Sequence, residues 1–220
     1  MLKKILLGMT LVSSLSMASE GVNLYFRAGA DIDGKFKTFT DHEIMTVNEK
    51  ETDKVGYEIA SEVTKEVLPN FELGLGLAYQ NHSRAKYNKF IEDTVTSYFD
   101  IPEVESIPIY LTSKYTFMAD SMIKPYIKAD LGYSFNSLSG NFAYNDNDNS
   151  GKGKQMKYDS EIKDGIYFGI GGGFEINNFT MDLMYKINKM EFKYGFGDEK
   201  ITKDFDYSRV TLSVGYKFDF

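Results

Sequence analysis

Only two histidines occur in the 220 residues, and each has a neighbour that could make it a catalyst: Asp41 precedes His42 and Ser83 follows His82. A histidine that takes a proton from serine, or that a carboxylate orients, is the working part of a hydrolase. Adjacency argues against both pairs, because successive side chains on an extended chain point to opposite faces. No protease or lipase motif surrounds either histidine, so no enzyme is expected. A second candidate is the run Asp146, Asn147, Asp148, Asn149, Ser150 and Gly151, which fits the first six positions of a calcium loop. Position twelve is then Lys157, where a bidentate glutamate is required. The same residue types are the ordinary material of a polar turn. Calcium stays the alternative there, and no metal or cofactor is expected.

What would position such residues follows from the rest of the chain. Lys3 and Lys4 precede an apolar run from Ile5 to about Leu15, and Ser16, Met17 and Ala18 form a small-x-small site. These mark a cleaved signal peptide over residues 1–18 and leave a single domain over 19–220. The run is too short to span a bilayer as a helix, which takes roughly 20 residues. Without Lys3 and Lys4 the chain keeps 23 basic residues against 32 acidic ones, and it has no cysteine. Acidity speaks against a nucleic-acid partner, and the missing thiols exclude a disulfide framework. Tyr and Phe supply 33 residues, Trp none, and 19 glycines accompany four prolines. That mixture favours strands.

Alternation with a period of two is the main signal. At the C-terminus Val210, Leu212, Val214, Tyr216, Phe218 and Phe220 alternate with Arg209, Thr211, Ser213, Gly215, Lys217 and Asp219. Phe71, Leu73, Leu75, Leu77 and Tyr79 repeat it against Glu72, Gly74, Gly76, Ala78 and Gln80. Five more segments follow, beginning at Leu24, Ile107, Ile127, Ile166 and Phe179, and a weaker one carries Tyr57, Ile59, Val63 and Val67. Eight strands of about ten residues each suit a membrane-crossing barrel. Tight turns are expected at Leu68 to Asn70, Ala119 to Met122 and Asn177 to Asn178. Long, polar, charged connections alternate with them at Gly34 to Lys54, Asn81 to Glu103, Asn136 to Lys163 and Asn188 to Phe205. Pro108 and Pro125 are placed near strand ends, and the changed phase of Met190, Phe192 and Tyr194 is read as a bulge or a strand end.

Periodicity does not say which face looks inward. A soluble barrel with an oily interior is the competing arrangement, but two observations favour apolar-out. Glycines crowd the polar face of one strand, at Gly165, Gly169, Gly171 and Gly173, and small residues suit the inside of a narrow barrel. Aromatics also collect at both ends of the strands, as membrane girdles do. The bore then receives Arg27, Asp31, Glu58, Glu62, Glu72, Lys114, Lys124, Lys128, Asp130, Glu175, Asp182, Lys186 and Arg209. Eight strands leave room only for side chains, which favours a plug of paired charges over an ion pathway.

The eight-strand layout, and a final strand from Val210 to Phe220 ending in alternating aromatics, resemble the small bacterial outer-membrane β-barrels of the OmpA-barrel, OmpX and opacity-protein type. The resemblance covers the whole of 19–220. It implies an eight-stranded antiparallel up-and-down transmembrane β-barrel, exported through the periplasm to the outer membrane, with lipid around it. It also implies a C-terminal signal for the barrel-assembly machinery, formed by Gly215, Tyr216, Phe218 and Phe220. The expected role is structural or surface-interacting, an adhesin or envelope-stabilising barrel whose four long loops meet a host or envelope ligand. The alternative is a narrow porin-like channel for ions or small solutes.

Overall fold

The computed structural model describes residues 21–37, 39–41, 45–47, 55–84, 89–92, 95–100, 102–140, 142–147, 153–196 and 199–220. The signal segment and His42 lie outside them. Eight long strands form the barrel: β1 (Val22–Phe36), β4 (Tyr57–Leu68), β5 (Phe71–Asn81), β8 (Glu103–Thr116), β9 (Ile123–Ser139), β12 (Gly165–Ile176), β13 (Phe179–Asn188) and β16 (Tyr207–Asp219). Each pairs antiparallel with its neighbours, and β1 closes the ring by pairing with both β4 and β16. No helix occurs among the described residues. Closure leaves no barrel edge unpaired, which is the condition for crossing lipid with strands.

The three tight turns lie between β4 and β5, β8 and β9, and β12 and β13. Asn70, Met118 and Asn177 take the left-handed backbone there, at φ 64°, 47° and 54°. Asn tolerates that conformation better than most residues, which suits it to two of these three positions. Pro125 is close to the start of β9, as expected, but Pro108 lies well inside β8 because that strand runs down from Glu103. The ladder between β5 and β8 breaks off at Leu77↔Ile109 and resumes at Gln80↔Ser106. Pro108, which has no N–H to donate, falls in that gap.

Eight further strands among the described residues occupy what the sequence offered as loops: β2 (Phe39–Asp41), β3 (Met45–Val47), β6 (Lys89–Glu92), β7 (Val95–Asp100), β10 (Phe142–Asn147), β11 (Gly153–Lys163), β14 (Glu191–Phe196) and β15 (Glu199–Asp204). β2 and β3 pair with each other, and the other six form a sheet in the order β15-β14-β11-β10-β7-β6. The loop expectation is therefore corrected. The second, third and fourth connections carry paired strands that continue the barrel beyond the membrane, and we call this extension the cap.

Burial shows which face meets lipid. Leu75, Leu111 and Leu131 are 59%, 63% and 58% exposed, while Glu62, Asp130 and Asp182 are buried. The membrane section is apolar outside and polar inside. At the outer ends of the barrel strands and in the cap the inward face is apolar: Phe36, Val104, Ile162, Met190, Phe192, Tyr194, Phe205 and Tyr207 form one buried cluster, with Leu138 packed against it. Met190, Phe192 and Tyr194 keep the inward parity of Asp182, Met184, Lys186 and Asn188. The strand does end at Asn188, but no bulge intervenes; the apolar residues cross to the inside while the inward positions stay the same. A register shift does occur in β1, between Asp31 and Asp33. It turns Gly34 and Phe36 inward and leaves Lys35 and Lys37 outside.

Candidate functional site

The bore is filled by three tiers of polar side chains. Inward residues four apart, such as Arg27 and Asp31 on β1 or Glu58 and Glu62 on β4, stand about 13 Å apart along a strand, so they fall in successive tiers. Nearest the tight turns, Lys114 Nζ lies 2.9 Å from Glu72 and 3.2 Å from Glu175, and Lys217 lies 2.8 Å from Glu175. Lys114 donates to the Tyr25 hydroxyl at 2.6 Å, and that hydroxyl donates to Glu72. In the middle tier Arg27 bridges Glu62 and Asp182, the latter at 2.9 Å. Lys128 binds Glu62 and stands 3.5 Å from Asp130. Tyr110 donates to Glu62 at 2.9 Å and Thr112 to Asp130 at 2.7 Å.

The outer tier joins Lys186 to Glu58, and Arg209 to both Glu58 and Asp31 at 3.3 Å. Gln80 donates to Glu58 at 2.6 Å and Thr211 to Asp31 at 2.8 Å. Between the outer and middle tiers lies a small apolar layer of Ala60, Ala78, Tyr110 and Tyr167. Tyr110 is flanked by glycine on both sides, with Gly76↔Tyr110 on one ladder and Tyr110↔Gly132 on the next. A Cβ on Gly76 would come within 2.3 Å of the Tyr110 ring. The bore has no room for it, and glycine is what lets the ring lie flat.

All the inward-assigned charges are buried except Lys124, which is half-buried opposite Glu175. With the half-buried Lys217 the cations balance the seven inward carboxylates. Lys217 was absent from the sequence-assigned set although it alternates in phase with Arg209. The inward tyrosines 25, 110, 126 and 167 were also missed, because a period-two count reads tyrosine as apolar. Gly215, Tyr216 and Phe218 lie in β16, whose last paired residue, Asp219, precedes Phe220; Tyr216, Phe218 and Phe220 are exposed on the outer face.

His82 is paired with Ser106 rather than with Ser83. Its Nε2 lies 2.8 Å from Ser106 Oγ, and Ser106 donates to Asn136 Oδ1 at 2.6 Å. Ser83 has left-handed backbone, φ 59°, and takes no part in the pair. Both His82 and Ser106 are fully buried, and no carboxylate among the described residues is hydrogen-bonded to the imidazole. Burial first, and the Arg209 guanidinium second, hold the His82 pKa well below the usual histidine range. His42 and the calcium-loop residues 148–152 fall outside the described residues, while Asp41 ends β2 and Asp146 and Asn147 end β10.

On the outer surface at the rim, a concavity of about 250 Å³ is lined by Lys35, Phe36, Lys37, Ile187, Lys189, Asp206 and Ser208. Each lysine already has a carboxylate: Lys35 has Asp33 at 3.5 Å, Lys37 has Asp204 at 2.8 Å and Lys189 has Asp206 at 2.6 Å. The concavity is therefore close to neutral.

A family model described as outer membrane protein beta-barrel domain matches residues 5–218. An uncharacterized protein of Pasteurella multocida (strain Pm70), PM1543, is 26% identical over 233 residues, covering 99% of this chain and 98% of that one. Among solved structures, the outer membrane protein OprG of Pseudomonas aeruginosa is 14% identical with a TM-score of 0.51, covering 91% of this chain and 97% of its own. Ail, the attachment invasion locus protein of Yersinia pestis, solved with the heparin analogue sucrose octasulfate, is 14% identical with a TM-score of 0.43 over 91% of this chain and 100% of that one. At these identities the likeness to solved structures is one of fold.

Proposed function

The chain belongs to the outer-membrane β-barrel family, and from that premise we propose that it is a closed, non-catalytic surface barrel that carries its cap outside the cell as the part that meets a partner. The observation that carries this reading is the bore: inward charges of both signs balance and bind one another in three tiers. Above them the apolar cluster around Phe192 and Phe205 sits over the mouth. Function then falls to the cap, as an adhesin or an envelope-stabilising element bound to a host or envelope ligand. The final strand with Gly215, Tyr216, Phe218 and Phe220 is the signal read by the barrel-assembly machinery, after a signal peptide over 1–18 has been removed.

Planar-bilayer recording tests the closed bore. Reconstituted protein is expected to give no stable conductance steps, and large lasting steps would replace this reading with that of a narrow channel. One observation favours that second reading: Arg27 Nη2 and Thr180 Oγ1 are buried in the bore with no hydrogen-bond partner among the described residues. Such atoms are where water enters an interior.

A further inference from the structure

We propose that His82 is an acid-operated latch between the cap and the barrel: gaining a second proton expels the imidazole from its niche and frees the cap from the mouth. The inference rests on where the ring sits. His82 is wholly buried, immediately after β5 ends at Asn81, and its backbone N–H is held by Val104 O at 2.9 Å. Its ring packs on Tyr207, centroids 4.4 Å apart, and Tyr207 packs in turn on Phe36 at 4.6 Å. The imidazole thus touches the lowest course of the cap's apolar cluster and stands over the outermost charge tier.

The hydrogen bonds fix its protonation. Ser106 gives its only proton to Asn136, so His82 Nε2 must carry a hydrogen and donate to Ser106. Nδ1 is then the bare nitrogen, and it has no hydrogen-bond partner among the described residues. A proton added at Nδ1 finds no acceptor there. Among the described residues, those recorded against the ring supply no carboxylate: Tyr207 comes from β16 and Ser106 from β8, and Arg209 of β16 acts on it electrostatically. The nearest carboxylate set, Asp31 and Glu58, is already engaged by Arg209, and Asp31 also accepts from Tyr207 at 3.3 Å. Arg209 adds a positive charge of its own. A buried charge without a partner is not tolerated, so the protonated ring leaves, and with it goes the Tyr207 and Phe36 packing that seats the cap.

The sign follows from proton counting. The closed form keeps His82 neutral, and the open form takes up a proton near the ordinary histidine value of about 6.5. The closed cap is fully stable above that pH and loses stability as the pH falls below it. With the closed form still unprotonated, the ratio of closed to open cap falls about 30-fold between pH 7.5 and pH 5.

Hydrogen exchange on the lipid-reconstituted protein reads this directly. After correction for intrinsic rates, peptides covering 102–107 and 188–207 should lose protection by about that factor on going to pH 5, while peptides inside β5 and β12 keep theirs. His82→Gln and His82→Phe cannot take up the proton and should hold cap protection equal at both pH values; Phe also keeps the stack on Tyr207. Unchanged cap protection in the wild type, or the same acid loss in a folded variant, overturns the proposal. If neither variant folds, the wild-type imidazole followed by NMR decides: it must stay neutral for as long as the cap is closed, and an imidazole that takes up its second proton with cap protection intact overturns the latch.

Discussion

The membrane section and the cap are built from the same antiparallel strands, often from a single run of residues, with opposite polarity. In β13 the inward positions are Asp182, Met184, Lys186 and Asn188; two residues further on, the same parity carries Met190, Phe192 and Tyr194. Outward, Leu183, Tyr185 and Ile187 give way to Lys189 and Glu191. The surroundings explain the exchange. In hydrocarbon an outer face gains nothing from charge and the inside must satisfy itself, so it fills with paired ions. In water the hydrophobic effect returns and puts the aromatic groups inside. The outer faces agree: Lys163 with Glu191 and Lys189 with Asp206 are exposed ion pairs on the cap.

That contrast breaks most severely where the polar core is deprived of one member. Glu62 is shared by Arg27, Lys128 and Tyr110, so Glu62→Leu leaves Arg27 and Lys128 with only Asp182 and Asp130 and one buried positive charge in excess. A loss of about 3 to 5 kcal/mol is expected, over the whole barrel, measured as urea unfolding in lipid vesicles. An unchanged midpoint would mean that water rather than Glu62 balances those cations.

Phe192→Ala does the corresponding damage to the apolar core. Emptying a buried aromatic site costs about 3 to 5 kcal/mol, but here the loss should stay in the cap. Proteolysis of intact vesicles is expected to clip the cap while the gel shift between unboiled and boiled samples persists. If the barrel unfolds together with the cap, the two sections are one cooperative unit and the division between them fails.

Much of this was legible in the sequence, for a physical reason. Where lipid covers one face, alternation is enforced at every second residue, and Leu73 to Tyr79 or Val210 to Phe218 cannot be read otherwise. The inward charges followed by parity. The cap was hidden because its apolar residues are few and set among charges: Met190, Phe192 and Tyr194 alternate over too short a stretch to declare a core, and Phe36 reaches the inside only through the register shift after Asp31. His82 and Ser106 lie 24 residues apart, and no local spacing announces a pair made across the barrel wall.

Leu75→Arg tests the outer side of the same contrast. Leu75 is exposed in the middle of β5, between Val63 and Leu111 on the neighbouring strands, and an arginine there costs about 2 to 4 kcal/mol in a lipid-embedded barrel. In the cap, where lysines already occupy outward positions, Glu191→Arg should leave barrel stability unaltered. Equal, negligible losses for both substitutions in a lipid unfolding series would mean that the band around Leu75 does not touch hydrocarbon.

The smallest effect on stability is expected at Phe220. The residue follows the last ladder position of β16, holds its backbone N–H on Val22 O at 3.0 Å and is 43% exposed. Burying a phenylalanine completely is worth only about 1.5 to 3 kcal/mol, and this ring is far from completely buried, so Phe220→Ser should refold in detergent with a midpoint close to that of the parent chain. Its backbone bond needs no particular side chain. Assembly in cells asks something different of the same residue if Tyr216, Phe218 and Phe220 form the strand face that the assembly machinery reads. The variant should then accumulate in the periplasm, unshifted on an unboiled gel, although the purified protein folds. Wild-type surface display of Phe220→Ser would remove the recognition role and leave the ring as one more member of the periplasmic girdle, while failure both in cells and in detergent would locate its contribution in the barrel itself.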